Sequence, residues 1–423
     1  MKAKPTKRKR IAIAQAGGPT AVINCSLLGF LKCAATWPEP PDVFGVAEGM
    51  AGLVEGRLYP LQERQPLDWL RVQPGAALGA GRKMLTDDDF AAAVDQLRRR
   101  DIHLLALTGG NGTMWACRQL AFKARELGYE LQVVGIPKTV DNDLMGTDHT
   151  PGFPSAARFV AHAVRDLAAD LASMRNFEQV RVVETMGRNV GWLTAASAYY
   201  KNDEDDAPHL LYLPETTFDL EAAVASVEAV YRRLGYCLMV VSEGLKDRYG
   251  RPISAQGISG GRVKGKGQQA LGGIGSVVVE ILSKELGLAC RYENLGILQR
   301  CDSLSASPED RNEAEIVGAR AAELLLRGQG GVMITIERAA STSEYRWTTG
   351  SVPLERVAGM ERALDAEFLD ASGGVSDLYR EWLRPLIGQS PPYRQLLPDR
   401  RAPMPGNGPG GSQTQEETLW NRR

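Results

Sequence analysis

Short apolar runs alternate along this chain with longer segments in which apolar residues recur every three or four positions. The runs are "RIAIAQAGG", "DVFGVAEG", "IHLLALTGG", "LQVVGIP", "QVRVVETMG", "HLLYLPE", "YCLMVVSEG" and "GVMITIER". They have the length and β-branched content of buried strands, while stretches such as "DDDFAAAVDQLRRRD" and "DLEAAVASVEAVYRRLG" carry the helical period. Strands apolar on both faces and joined by helices predict βα units around parallel sheets. The fold class is α/β, and the recurring unit accommodates two similar lobes.

Ligands of such sheets gather beyond the carboxyl ends of the strands. Five strand ends here carry glycine, a charge or an amide: "QAGGPT", "TGGNGT", "PKTVDND", "MGRN" and "SEG". These are the candidate chemical stretches.

Composition narrows the partners. With 423 residues and 43% hydrophobic content the chain can bury a sizeable core in two or three domain-sized units. Its 50 Lys and Arg nearly balance 51 Asp and Glu, so overall charge points to neither nucleic acid nor an anionic membrane. No stretch has the length and apolarity of a membrane span. The six cysteines (Cys25, Cys33, Cys117, Cys237, Cys290 and Cys301) form no CxxC pair, which argues against a zinc site or a disulfide framework and for a reducing cytoplasm. Residues 1–10 read as a basic tail and 401–423, rich in Pro, Gly, Ser and Gln, as a disordered one.

Gly17 and Gly18, followed by a helix expected to start in "PTAVINCSLLGFL", would let backbone and helix N–H groups approach an anion; a ligand-free βα turn is the competing reading. In "TGGNGT", Gly109, Gly110 and Gly112 clear side chains around Asn111 and Thr113, leaving amides suited to phosphate oxygens. Lys138 beside such a loop can neutralise phosphate, Asp141 can take a proton from an attacking hydroxyl, and Asp143 can orient a hydroxyl or a magnesium-bound water. Against this stands a bland alternative, in which Asp141 and Asn142 cap a helix or close an Asx turn. Arg82, Arg188, Arg291 and Arg300 have the planar guanidinium that grips oxyanions, and Glu243 can accept from sugar hydroxyls. The histidines, His103, His149, His162 and His209, show no metal spacing and receive no role. Met114 and Trp115 are expected to pack on the sheet rather than stack on a base.

Taken in this order, "PKTVDND", "MGRNVGW", "SEG" and "LGILQR" resemble the phosphofructokinase family over roughly residues 10 to 390. "QAGGPTAVIN", "PGAALGAGR", "GIPKTVDNDL" and "TDHTPGFPSAA" look most like its pyrophosphate-dependent branch. The resemblance implies two doubly wound, mainly parallel-sheet lobes with the active site between them. The donor lobe would be 11–152 with about 300–350, and the fructose 6-phosphate lobe 153–299 with about 351–390. It implies Asp141 as the base for the sugar 1-hydroxyl, with Thr139, Asp143 and Lys138 beside it. Met186, Gly187, Arg188, Glu243, Arg291 and Arg300 would hold fructose 6-phosphate. Gly17, Arg82, Gly110, Asn111, Gly112, Thr113 and Lys138 would surround the donor phosphates, with Asn111 at Mg2+. Arg291 would reach the site of a neighbouring subunit, which implies a homodimer or homotetramer.

Four departures bear on ligands. Pyrophosphate-dependent members usually carry aspartate where this chain has Gly112, in the space of the α-phosphate of ATP. Asn111 replaces an aspartate of many relatives, and Ile297 and Gln179 replace a histidine and an arginine that often contact the sugar phosphate; whether Arg181 compensates for Gln179 is open in the sequence. Removing a like charge beside an α-phosphate favours ATP, whereas Lys138 suits either donor. The expectation is therefore an ATP-dependent 6-phosphofructokinase of glycolysis. The alternatives are a pyrophosphate-dependent phosphotransferase, a non-catalytic sugar-phosphate-binding regulator, and a kinase of another sugar phosphate such as sedoheptulose 7-phosphate.

Overall fold

The computed structural model describes residues 8–61, 67–253, 273–340, 344–371 and 373–389. The tail expected at 401–423 lies outside them, as do residues 1–7 of the expected basic tail. Residue 10 of that tail already belongs to the first strand.

The first half of the chain contains β1 (Arg10–Gln15), α1 (Ile23–Ala35), β2 (Asp42–Val46), α2 (Gly49–Glu55), β3 (Leu58–Pro60), α3 (Asp87–Arg99), β4 (Leu104–Gly109), α4 (Asn111–Glu126), β5 (Gln132–Pro137) and α5 (Phe153–Ser173). Then follow β6 (Val180–Thr185), α6 (Trp192–Ala196), β7 (Leu210–Tyr212), α7 (Leu220–Leu234), β8 (Cys237–Ser242), α8 (Ile274–Leu286), β9 (Cys290–Asn294) and α9 (Leu298–Cys301). The last elements are α10 (Pro308–Leu326), β10 (Val332–Arg338), β11 (Trp347–Pro353) and α11 (Asp377–Ile387).

Two sheets result, a seven-stranded one ordered β11-β10-β5-β4-β1-β2-β3 and a four-stranded one ordered β7-β8-β6-β9. All strand pairs are parallel except β2 with β3 and β10 with β11, at the edges of the larger sheet. Each of the eight apolar runs forms a strand. The pattern does not reveal β3, β9 and β11, because "LYP", "CRYEN" and "WTTGSVP" are short or polar and largely exposed on at least one face. Edge strands need no second apolar face.

Side-chain alternation distributes the core. Ile11 and Ile13 of β1 join a cluster with Leu28 and Phe30 of α1 and Leu325 of α10, whereas Ala12 and Ala14 face a cluster with Phe90 and Leu97 of α3 and Leu120 of α4. Helices α1 and α10 approach very closely: a Cβ on Gly29 would lie 1.7 Å from the Glu315 carbonyl oxygen, and one on Gly318 would lie 1.9 Å from that of Ser26. Only glycine fits at either position. The smaller sheet is covered by α7 and α8 on one face and by α5 on the other. A third cluster, with Phe153, Trp192, Tyr379 and Trp382, joins α5, α6 and α11.

Candidate active site

The loops after β1, β4, β5, β6 and β8 supply the site. After β1 the chain becomes helical at Ile23, within the stretch expected to start a helix. Gly17 has φ +75° and donates its N–H to the Gly81 carbonyl at 3.1 Å, which brings Arg82 to the same place. Lys138, buried at 4% exposure, donates from Nζ to the Gly18 carbonyl at 2.7 Å. A Cβ on Gly18 would stand 2.4 Å from a guanidinium nitrogen of Arg300. The two glycines thus make room for two cations, and the anion cradle comprises side chains as well as backbone.

Burial depresses the Lys138 ammonium to about 8, and Arg300 adds to the shift while Asp141 opposes it. A buried ammonium beside other cations suits an anion. After β4, α4 begins at Asn111 with Gly110 as its N-cap, so the first-turn amides face the strand end. Gly112 has nothing within 4 Å of where a Cβ would be. Thr113 is buried against Gly109, Met114 fills the space beside Gly135 as expected, and Trp115 departs from expectation by lying partly exposed, edge-on to Phe90.

The segment after β5 caps no helix, since α5 starts only at Phe153, and the Asn142 side-chain oxygen closes no Asx turn, since its partner is Thr150. Asn142 takes a left-handed φ of +58°, which asparagine tolerates better than most residues. Its Oδ1 accepts the Thr150 N–H at 2.9 Å, closing the loop on itself. The turn leaves Asp141 and Asp143 on either side of Asn142. Thr139 Oγ1 accepts the Asp141 N–H at 3.1 Å, and Asn111 Nδ2 donates to Asp143 Oδ2 at 2.9 Å. Burial raises Asp141 to about 7, with Asp143 and Glu243 adding to the effect and Lys138 and Arg188 opposing it. Burial also raises Asp143 and Glu243.

The loops after β6 and β8 interlock. A Cβ on Gly244 would sit 1.9 Å from the Arg188 carbonyl oxygen, so the glycine of "SEG" lets Glu243 lie beside Gly187 and Arg188. Gly187, at φ +141°, donates its backbone N–H to the Glu243 carboxylate. Gln299, buried in α9, accepts the Met186 N–H at 2.9 Å and so ties "LGILQR" to "MGRN". Sequence reasoning assigned nothing to Gln299, and only its place before Arg300 hinted at a role.

Lys138, Asp141, Asp143, Arg188, Glu243 and Arg300 therefore act on one another electrostatically, and Arg82 acts on Lys138, Glu243 and Arg300. A proton acceptor titrating near neutrality beside clustered cations suits transfer of an anionic group to a hydroxyl. Arg291 is not part of this group within one chain. It lies opposite Arg181, away from the carboxyl end of β9, with its Nε 3.3 Å from Glu178.

A family model for phosphofructokinase matches residues 10–325. The chain belongs to the phosphofructokinase family.

Among curated relatives, the chain is 40% identical to the sulfofructose kinase of Alkalicoccus urumqiensis over 90% of its own length and 96% of that protein's. It is 36% identical to the pyrophosphate–fructose 6-phosphate 1-phosphotransferase of Rhodospirillum rubrum, over 93% and 97% of the two chains. An ATP-dependent 6-phosphofructokinase of Corynebacterium efficiens is 30% identical over 82% of this chain and 96% of that protein. Among solved structures, the pyrophosphate-dependent phosphofructokinase of Nitrosospira multiformis superposes with a TM-score of 0.81 at 32% identity, covering 93% and 95% of the two chains.

In this chain, Gln179 is engaged in structure: its Oε1 accepts the Ala289 N–H at 2.9 Å. Arg181 does not take its place, because it is buried in ion pairs with Glu178 and Asp170. Ile297 is 61% exposed. Among the described residues, no group of three His, Cys, Asp or Glu could hold a metal, and no helix is long and apolar enough to cross a membrane. All six cysteines are free.

Proposed function

We propose that this phosphofructokinase transfers a phosphoryl group to the 1-hydroxyl of fructose 6-phosphate, with Asp141 as general base. The observation that carries the reading is the Asp141 carboxyl, raised to about 7 between carboxylates and cations at a strand end. At neutral pH such a group both accepts and returns a proton. Arg188, Glu243 and Arg300, with the Met186–Gly187 backbone, would hold the sugar phosphate, and Arg291 would act in a neighbouring subunit of a homo-oligomer. Lys138, Arg82 and the first turn of α4 would hold the donor.

The donor reading favours ATP, because the space above Gly112 is open where a carboxylate would repel an α-phosphate. The names of several relatives support pyrophosphate instead. Among the described residues, Asn111 Oδ1 and Asp143 Oδ1 are both buried without hydrogen-bond partners, and such oxygens suit a hard cation. Bound Mg2+ would neutralise charge on the donor phosphates, with those two side chains and the phosphates as its oxygen ligands.

A second reading concerns the acceptor and is motivated by the sulfofructose kinase relative together with Gln179 and Ile297. A sulfonate carries one negative charge fewer than a phosphate dianion, so a subsite with fewer cationic side chains suits it better. Assays of the purified chain with Mg2+, pairing ATP or pyrophosphate with fructose 6-phosphate, sulfofructose or sedoheptulose 7-phosphate, test these readings together. Turnover eliminates the regulator alternative, and the best pair by kcat/KM identifies donor and acceptor.

A further inference from the structure

His149 lies eight positions after Asp141 in the same loop and is wholly buried. Its Nδ1 is 2.7 Å from Asp148 Oδ2 and its Nε2 is 2.6 Å from Glu313 Oε2, on α10. With an acceptor carboxylate at each ring nitrogen, both nitrogens donate and the ring is an imidazolium. Around it, Tyr345 donates its hydroxyl to the other oxygen of Glu313. Arg338 on β10 donates to both oxygens of Asp148, and Trp382 on α11 donates to Oδ1 of the same carboxylate. Asp310, one turn before Glu313, accepts the Gly152 and Ser155 N–H groups.

The residue next to His149 faces the other way. Thr150 gives its N–H to Asn142 Oδ1 at 2.9 Å and its hydroxyl to the Thr139 carbonyl at 2.9 Å. Those two residues flank Asp141, whose own N–H is held by Thr139 Oγ1. A continuous path therefore runs from α10 through His149 and Thr150 to the turn that presents the base.

We propose that His149 is a positioning residue: its buried pair with Glu313 pins the 139–152 loop to α10 and so sets the place of Asp141. This rests on the assignment of Asp141 as base. A carboxylate displaced by about 1 Å loses roughly a hundredfold in rate while the binding groups remain in place. His149 touches neither sugar nor donor in this scheme, so its loss should appear in kcat and not in KM.

The experiment uses the full chain with His149→Gln, Glu313→Gln, the double variant, and Thr150→Val, each checked for folding by circular dichroism. Folded His149→Gln should lose roughly ten- to a hundredfold in kcat with KM for sugar and donor within about twofold. The double variant should recover most of that loss, because two glutamines can hydrogen-bond without leaving a buried carboxylate unpaired. Thr150→Val, a mild change that keeps the fold if His149→Gln does not, should lower kcat with KM unchanged. Wild-type kcat in either single variant, or a double variant no better than His149→Gln, overturns the proposal. Hydrogen exchange gives a readout independent of turnover. Amides of 139–152 should exchange faster in His149→Gln, or in Thr150→Val if that is the variant that folds, while those of α10 stay as in wild type; unchanged loop exchange also overturns it. A wild-type chain inactive with every donor and acceptor would instead overturn the assignment of function and leave the exchange result to decide the positioning role.

Discussion

Asn111 donates from Nδ2 to Asp143 Oδ2 at 2.9 Å, and the remaining oxygen of each side chain is buried without a hydrogen-bond partner among the described residues. Buried acceptors left bare are costly unless something charged or donating meets them. With a cation as that partner, Asn111→Ala and Asp143→Ala should each raise the Mg2+ concentration for half-maximal activity by at least about tenfold. Titrating Mg2+ at saturating sugar and donor measures it, and an unchanged requirement would place the cation elsewhere.

Asp141→Asn separates catalysis from stability. Turnover should fall about 10²- to 10⁴-fold, because no base remains for the 1-hydroxyl. The folded-state pKa of Asp141 is raised, to about 7, so the carboxyl contributes most stability below its unfolded value and loses that contribution as pH rises through about 7. Replacing it with a neutral amide should therefore raise the melting temperature at pH 8 and have little effect near pH 3. Thermal unfolding at both pH values tests the sign.

Activity should follow a bell-shaped pH profile. Asp141 must be ionised to accept a proton, so kcat/KM should climb through about pH 7. Lys138 must be charged to attract the donor, and with its pKa near 8 the donor KM should worsen above that value. Lys138→Met should abolish the alkaline effect on donor KM while leaving an acidic limb in kcat/KM.

Gly112 offers a direct test of donor choice. The position is in the first turn of α4 with nothing within 4 Å of a new Cβ, so aspartate fits there and suits the helix dipole. Gly112→Asp should cut kcat/KM for ATP by about a hundredfold through like-charge repulsion and leave pyrophosphate much less affected. Equal effects on both donors would remove Gly112 as the determinant.

Gly18→Ala probes the cradle after β1. The new methyl would stand 2.4 Å from the tip of Arg300, a side chain that can swing away, so the fold should survive while the guanidinium moves. Loss of a charge-assisted contact predicts a rise of about tenfold in sugar-phosphate KM. Steady-state kinetics and a melting curve distinguish this outcome from general destabilisation.

Several candidate residues can be picked out from the sequence alone. Asp141, Asp143, Lys138 and Arg188 stand directly after apolar runs, where ligand binding and a capping or turn role compete as readings. Gln299, Asn142 and His149 are not legible in that way. Each works through a partner far along the chain or through a backbone angle, and neither leaves a mark in local composition. Arg181 illustrates the converse, since its sequence position leaves open whether it substitutes for Gln179 and burial against Glu178 and Asp170 decides against it.

By itself the sequence determined the α/β class, the eight core strands and the loops that carry charge, because period and apolarity are local properties that burial on two faces enforces. Tertiary structure decided what those loops do together. The edge strands, the left-handed turn at Asn142, the room that Gly18 makes for Arg300 and the pairing of His149 with Glu313 all depend on which segments meet. The shift of Asp141 to about 7 depends on them as well, since desolvation and neighbouring charge exist only once the lobes have packed around it.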